Sequence, residues 1–288
     1  MTHTKKIVAL FTGLVFLLSA CERIVELEIP SGESKLVIEG QITTQNEPWS
    51  VNLSLSQAYF DQSEMIFVTD AVVTITGSDG TNVILSHTDS GHYESSTAYF
   101  CTPGVRYTLS VDYKGKKYTA SEEAPLAYPI DTIASYYLPD NNGFIEKGYY
   151  VFIQGKEREE QGDYYLFKAY RNDTLKDDFG VYIDSDEFGS VSYLNEKFDI
   201  NNIAAELSLG KTPRPFPFTV LPNDTIKIEQ YAITREYYQY IVDLEAQIGR
   251  SGTPFDPPPA NPNNNISNGG LGYFSVSHKE VAELIVKK

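Results

Sequence analysis

Alternation of apolar and polar residues over short segments is the feature that most constrains the fold of this chain. Val51, Leu53 and Leu55 lie on one side of an extended segment, and polar residues separate them. This period of two is typical of a half-buried strand. Seven such segments occur within residues 35–124, and turn-forming sequences such as Asp89-Ser90-Gly91 separate several of them. The pattern predicts an immunoglobulin-like or prealbumin-like β-sandwich.

A second β-rich domain is predicted for residues 125–288, because strand-like segments recur there, among them 149–155 and 225–233. One amphipathic helix interrupts them at 234–248. Thr234 can cap its first turn, and one apolar stripe runs along it, formed by Tyr237, Ile241, Leu244 and Ile248. The predicted fold class is therefore mainly β, with a sandwich followed by a β-rich domain that carries a single helix.

Residues 251–270 form a loop in this scheme, since five prolines and five asparagines exclude regular structure. Loops on a rigid β scaffold commonly carry recognition. We therefore expect an interaction surface made of the loop's apolar and acidic residues and the aromatic pair that follows. These residues are Phe255, Asp256, Pro257, Pro258, Pro259, Tyr273 and Phe274.

The N-terminus has the features of a bacterial lipoprotein signal peptide. Lys5 and Lys6 precede the apolar segment 7–18, and Leu18-Ser19-Ala20-Cys21 fits a lipobox. The rival interpretation, a transmembrane helix, is disfavoured because about 12 apolar residues are too few to span about 30 Å of hydrocarbon. We expect cleavage of residues 1–20, attachment of diacylglycerol and a further acyl chain such as palmitate to Cys21, and a tether at 21–34.

The net charge of −16 limits the partners of this chain. Phosphates of nucleic acids and anionic lipid headgroups would be repelled, so acyl chains must provide the membrane attachment. With Cys21 lipidated, Cys101 is the remaining thiol, so no intramolecular disulfide is expected. Its apolar neighbours indicate a small buried residue.

The C-terminal third resembles a known family. The residues that carry the resemblance are Tyr238, Leu244, Gln247, the run 255–259, Asn261-Pro262, Asn265-Ile266, Gly269-Gly270 and Leu271-Gly272-Tyr273-Phe274. They are similar to the signature of a Bacteroidota outer-membrane lipoprotein family catalogued as a domain of unknown function (4249). The opening segment 36–43 is also similar to that family. The resemblance implies an accessory lipoprotein found with TonB-dependent receptors of the starch-utilisation type, and it supplies no catalytic residues.

Candidate chemistry is sparse in this sequence. His87 and His92 flank a turn, but two histidines are too few for a zinc site, and solvated hairpin residues are the favoured interpretation. The acidic segment 184–189 only partly matches a calcium loop, so a solvated turn is favoured there. We predict no catalytic residues, metal site or cofactor, although a glycosidase carboxylate pair is spatial and leaves no sequence pattern.

Two further sets of residues are candidates for surface chemistry. Thr132, Thr174 and Thr225 follow aspartates in a short pattern that matches Bacteroidota O-glycosylation acceptors. Four tyrosine doublets, at 136–137, 149–150, 164–165 and 237–238, could serve as sugar platforms. Strand neighbours point to opposite faces, so we expect a structural role in which each doublet buries one ring.

Three functions fit these observations. The favoured hypothesis is a non-enzymatic lipoprotein at the bacterial outer membrane, exposed at the cell surface, that partners a TonB-dependent transporter in nutrient uptake. The second is a glycan-active surface hydrolase with a carboxylate pair formed by the fold. The third is a structural or adhesive surface protein.

Overall fold

The segments with alternating polarity are strands in the computed structural model. The structure describes residues 33–57, 64–126, 129–138, 146–155, 162–176, 182–185, 215–248 and 260–288. The strands of the first half are β1 (Leu36–Thr43), β2 (Glu47–Leu55), β3 (Ile66–Phe67), β4 (Val72–Gly77), β5 (Asn82–Asp89), β6 (His92–Tyr99), β7 (Arg106–Tyr113) and β8 (Lys116–Glu123). All seven predicted segments are present, and the two-residue β3 was not predicted.

The second half is also mainly β. Its strands are β9 (Ile130–Leu138), β10 (Gly148–Gly155), β11 (Tyr164–Arg171), β12 (Thr174–Leu175), β13 (Tyr182–Ser185), β14 (Thr225–Ile233) and β15 (Leu271–Ile285), and its helix is α1 (Arg235–Ile248). The predicted mainly β fold with a sandwich-like first part is confirmed. The strand β9 was not among the strand-like segments identified in the sequence.

One long mixed sheet joins most strands. Its order is β12-β11-β14-β15-β1-β2-β6-β5-β4-β7-β8, and β13 and β3 pair with β11 and β2. The pair β1 and β15 is parallel, with Val37 opposite Leu271 and Thr43 opposite Ser277. Farther along, β15 pairs antiparallel with β14, from Ala232 opposite His278 to Thr225 opposite Ile285. A single strand therefore connects the first and second halves of the molecule.

Two main hydrophobic cores lie on either side of the predicted boundary at 124/125. The first core contains residues from Leu36 to Ala124, and it also includes Ile266, Phe274 and Val276 from the C-terminal part. The second contains residues of β10, β11, β14 and the segment 216–220. Residues 34–288 form one compact unit. The strand β15 contributes to both cores.

The strand β11 is covered on both faces, which explains its burial pattern. Tyr165 and Phe167 belong to the core shared with β10, whereas Tyr164 and Leu166 pack against α1 around Ile241. The expectation that each tyrosine doublet exposes one ring is therefore wrong for 164–165, because both rings are buried. A strand between two packed layers has no solvent face.

The helix forms where it was predicted, but it buries only the first part of its stripe. The Thr234 hydroxyl accepts a hydrogen bond from the Tyr237 amide at 3.2 Å, so Thr234 is the N-cap. Ile241 is buried, whereas Leu244 is 36% exposed and Ile248 is 70% exposed. The expected burial of Leu244 and Ile248 is wrong because the helix reaches beyond the sheet residues that cover Ile241.

Candidate functional site

A cleft of about 790 Å³ opens between α1 and the sheet. Its floor is formed by residues of β1, β2, β11, β12, β14 and β15 and of the segment 216–218, and its wall by α1. The parallel register places Glu39 beside Tyr273, so the polar face of β1 continues onto β15. This volume lies within the range of small-molecule sites in proteins.

Three tyrosine rings stand together where the helix meets the cleft floor. Tyr237 and Tyr240 come from α1, and Tyr273 comes from β15. The ring centre of Tyr273 lies 4.7 Å from that of Tyr237 and 5.0 Å from that of Tyr240. Tyr237 and Tyr240 stack at 6.1 Å. All three line the cleft, and together they provide flat apolar faces with hydroxyl edges.

The floor beyond the tyrosines carries two lysines over one aromatic ring. The ammonium nitrogens of Lys168 and Lys279 lie 5.1 and 5.4 Å from the ring centre of Tyr231. Lys279 also contacts Glu47 at 3.6 Å and Glu229 at 3.5 Å. Lys168 forms no ion pair within the part of the chain that the structure describes.

The surroundings shift the pKa of the Lys168 ammonium and the pKa of the Glu229 carboxyl group. Burial lowers the pKa of Lys168 and outweighs the attraction of Glu229. Burial would raise the pKa of Glu229, but the hydroxyl of Tyr231, donating at 2.8 Å, and the ammonium groups of Lys279 and Lys227 lower it overall. Glu229 is thus an ionised carboxylate, and its hydrogen bonds hold it in place.

One buried donor on the floor has no acceptor. The side-chain nitrogen of Gln41 is inaccessible to solvent and, among the described residues, forms no hydrogen bond. Gln41 lies next to Ser275 of β15 and Ser50 of β2. A buried N–H without an acceptor costs about 1–3 kcal/mol. A ligand that supplies an acceptor would recover this free energy.

Glu122 holds Tyr273 and the start of α1 in place through hydrogen bonds. Its carboxyl group accepts hydrogen bonds from the Tyr273 hydroxyl at 3.0 Å, from the Val276 amide at 2.7 Å and from the Thr234 hydroxyl. Burial raises the pKa of Glu122 to about 7, although these three donors oppose the shift. One side chain of β8 therefore fixes β15 and the start of α1, the two elements that carry the cluster.

The residues that suggested a family have structural roles in the part that the structure describes. The Asn265 amide group donates to the Phe274 carbonyl at 2.8 Å and accepts from the Phe274 amide at 3.1 Å. Gly272 has φ of +91°, and a Cβ there would lie 2.1 Å from the carbonyl oxygen of Ile38. These residues attach β15 to the first core.

The predicted interaction loop is only partly described. Phe255, Asp256, Pro257, Pro258 and Pro259 lie outside the described residues. Phe274 is fully buried in the first core, which corrects its expected role at an interaction surface, because β15 turns alternate residues inward. Tyr273 points to the opposite face and lines the cleft. Tyr273 is itself only 6% exposed, so a small part of its side chain reaches the cleft.

The other predicted residues that the structure describes are not among those that line the cleft. Thr132, Thr174 and Thr225 are exposed, in β9, β12 and β14. Cys101 is buried and unpaired, as predicted, and burial raises the pKa of its thiol. Cys21 and most of 184–189 lie outside the described residues. No helix within the described segments is long and apolar enough to cross a membrane.

The histidines of the β5–β6 hairpin are close to the surface. His87 is exposed, and His92 Nδ1 lies 2.7 Å from the Asn52 side-chain oxygen. Within the described ranges, no three His, Cys, Asp or Glu residues group as metal ligands.

The cleft was not predicted, because its residues come from six strands, most of them distant in sequence. Lys168 and Lys279 meet only because β11 and β15 both pair with β14. One local signal was available, since Tyr237 and Tyr240 are three positions apart and share a face of the predicted helix.

Comparison with known proteins defines the class of this chain. The model of a family described as a domain of unknown function (DUF4249) matches residues 22–282, so the chain belongs to that family. A solved segment of two fibronectin type III domains from chicken tenascin aligns with 70% of this chain and 92% of its own, at 11% identity and a TM-score of 0.21. No curated protein matches in sequence.

Proposed function

We propose that this protein is a lipid-anchored outer-membrane lipoprotein, exposed at the cell surface, that binds a ligand and partners a TonB-dependent transporter in nutrient uptake. The observation that carries the proposal is the open cleft, which combines tyrosine rings with an ammonium and a buried N–H donor that have no ion-pair or hydrogen-bond partner among the described residues. Convergent polar groups in a concave site of this size are typical of ligand binding.

The location in the proposal depends on the N-terminal sequence. The lipobox at residues 18–21 provides an acylated cysteine, and multiple acyl chains give stable anchoring. The segment 22–34 separates this cysteine from β1 and would hold the folded part away from the bilayer. The transporter partner comes from the family resemblance, whose members accompany such receptors.

Anchoring is tested with cysteine variants in the native organism. Cys21→Ser should abolish palmitate labelling and release the protein from outer-membrane fractions, whereas Cys101→Ser should leave labelling unchanged. Protease treatment of intact cells should remove the wild-type protein if it faces outward. Labelling that persists in Cys21→Ser would contradict the proposed anchor.

A glycan-active hydrolase is the second candidate, and one observation favours it. Glu47 and Glu229 both contact the Lys279 ammonium, so their carboxylate oxygens are at most about 7 Å apart. Glycosidases use carboxylate pairs at such separations. Two features favour an ion-pair network instead. The Lys279 ammonium contacts both carboxylates, and the pKa of Glu229 is lowered, whereas a catalytic acid needs a raised one.

The two candidates predict different results with oligosaccharides. A hydrolase would release reducing ends, and Glu47→Gln and Glu229→Gln would each reduce the rate by about a hundredfold or more. Our proposal predicts no release by the wild-type protein. Release that both substitutions abolish would establish the hydrolase.

A further inference from the structure

The charges that line the cleft are balanced, although the chain as a whole is strongly acidic. Three acidic residues and three lysines line the cleft, and the nearby carboxylate of Glu229 is balanced by Lys227 at 3.3 Å, in a chain of net charge −16. The acidic residues are Glu39, Glu47 and Glu245, and the lysines are Lys168, Lys176 and Lys279. A balanced cleft gives no net attraction to a charged ligand, and the surrounding negative potential repels polyanions. The ligand that fits is uncharged.

The cleft nevertheless requires a ligand with many hydrogen-bonding groups. The Gln41 side-chain nitrogen has no acceptor among the described residues, and the Lys168 ammonium contacts only the Tyr231 ring among the described groups. An apolar ligand would desolvate these donors without replacing their water, which is unfavourable. Glu39 and Glu245 are acceptors on the same lining, so the ligand must also donate.

The tyrosine cluster adds an apolar requirement. Tyr237, Tyr240 and Tyr273 present ring faces within 4.7 to 6.1 Å of one another. Such faces bind flat apolar surfaces, and the phenolic hydroxyls remain at the edge. A ligand that meets both requirements has apolar C–H faces edged by hydroxyl groups that donate and accept. This is the chemistry of a sugar ring.

We infer that the cleft binds a neutral oligosaccharide, with a sugar ring against Tyr240 and hydroxyl groups on Gln41 and Lys168. The inference rests on the proposed function, whose ligand it specifies. The rigid support of the cluster by Glu122 reduces the conformational entropy lost on binding.

Calorimetric titration of the full mature protein tests this inference. The neutral probes are maltohexaose, cellohexaose, xylohexaose and mannohexaose, and the anionic probe is hexagalacturonate. We expect at least one neutral probe to bind and hexagalacturonate to bind more weakly. No binding of any neutral probe, or preferential binding of hexagalacturonate, would overturn the inference.

Substitutions locate the binding to the cleft. Tyr240→Ala should weaken binding by about tenfold, equivalent to about 1.4 kcal/mol. Tyr137→Ala is the matched control, since that ring is 54% exposed on β9 and does not line the cleft. Gln41→Met removes a donor that has no acceptor among the described residues, so it should weaken binding without lowering the unfolding midpoint. This second variant separates loss of binding from loss of folding. Binding that neither substitution weakens would contradict the inference.

Failure of this inference is distinguishable from failure of the proposed function. If an oligosaccharide binds but no transporter co-purifies, the proposed transporter partner is wrong and the proposed ligand stands. Co-purification of a transporter with no binding of any neutral probe would keep the partner and reject the ligand.

Discussion

Glu122 shows how one residue can connect separate parts of a fold. Buried and exposed residues alternate regularly in β8, so the sequence pattern places Glu122 on the inner face. The pattern does not show which groups Glu122 contacts there. The partners come from α1 and β15, more than a hundred residues away. Burial of Cys101 was predictable from its apolar neighbours, whereas the environment of Glu122 depends on tertiary pairing.

Glu122 makes stability depend on pH in a defined direction. Its pKa is about 7 in the folded protein against an ordinary value of 4.5. The native state therefore holds a proton that the unfolded chain has released, and the associated stability is lost as pH rises from about 4.5 to 7. The difference corresponds to roughly 3 kcal/mol. Glu122→Gln should match the wild type at pH 4.5 and be more stable than it at pH 8, measured by urea unfolding.

Glu123→Gln provides the control for this measurement. Glu123 is the exposed neighbour on β8, with a surface contact to Arg106 at 3.1 Å. Exposed pairs contribute about 0–1 kcal/mol, so its substitution should change stability little at either pH. An equal offset between wild type and Glu122→Gln at both pH values would contradict the raised pKa.

At the scale of elements, local patterns identified most strands and the helix, but not what covers them. The alternation in β1, β2, β4 and β7 matched a sandwich with one inner face. The burial of both Tyr164 and Tyr165 could not be predicted, because it requires knowing that α1 and β10 cover opposite faces of β11. Likewise, the signature at 265–274 was recognisable in sequence, but its role in attaching β15 depends on pairing with β1.

Two isoleucines of α1 should differ in their contribution to stability. Ile241 is buried among Tyr164, Leu166 and Tyr231, so Ile241→Ala should reduce the free energy of unfolding by about 2–4 kcal/mol. Ile248 is 70% exposed, so Ile248→Ala should change it by less than about 0.5 kcal/mol. Chemical denaturation followed by circular dichroism measures both values. Similar losses for the two variants would show that the helix packs along its whole stripe.

At the scale of the whole molecule, β15 makes the two cores interdependent. It pairs with β1 of the first half and β14 of the second, and it places Phe274 and Val276 in the first core. The sequence indicated two β-rich parts, but it did not show that the last strand completes the first. Glu122 adds a polar link across the same region.

This arrangement predicts that a substitution in the second core destabilises the first. Ile228 is completely buried in the second core, and Ile228→Ala should remove about 2–5 kcal/mol. Trp49 is the single tryptophan and lies in the first core, so its fluorescence reports unfolding there. We expect Ile228→Ala to shift the Trp49 transition by the same amount as the transition seen by circular dichroism.

A solvent-exposed isoleucine of β5 serves as the control. Ile84 is 68% exposed, and Ile84→Ala should leave both transitions in place. A Trp49 transition that does not move in Ile228→Ala would mean that the two parts unfold independently.

The central proposal is that this protein is a lipoprotein that works with a TonB-dependent transporter. The most direct measurement is the molar ratio of transporter to lipoprotein recovered after crosslinking intact cells, determined by quantitative mass spectrometry. We expect one transporter to be recovered at the same molar ratio with the wild-type protein and with Cys101→Ser. We expect no transporter to be recovered with Cys21→Ser. Recovery of the wild-type lipoprotein from the outer membrane with no transporter would contradict it.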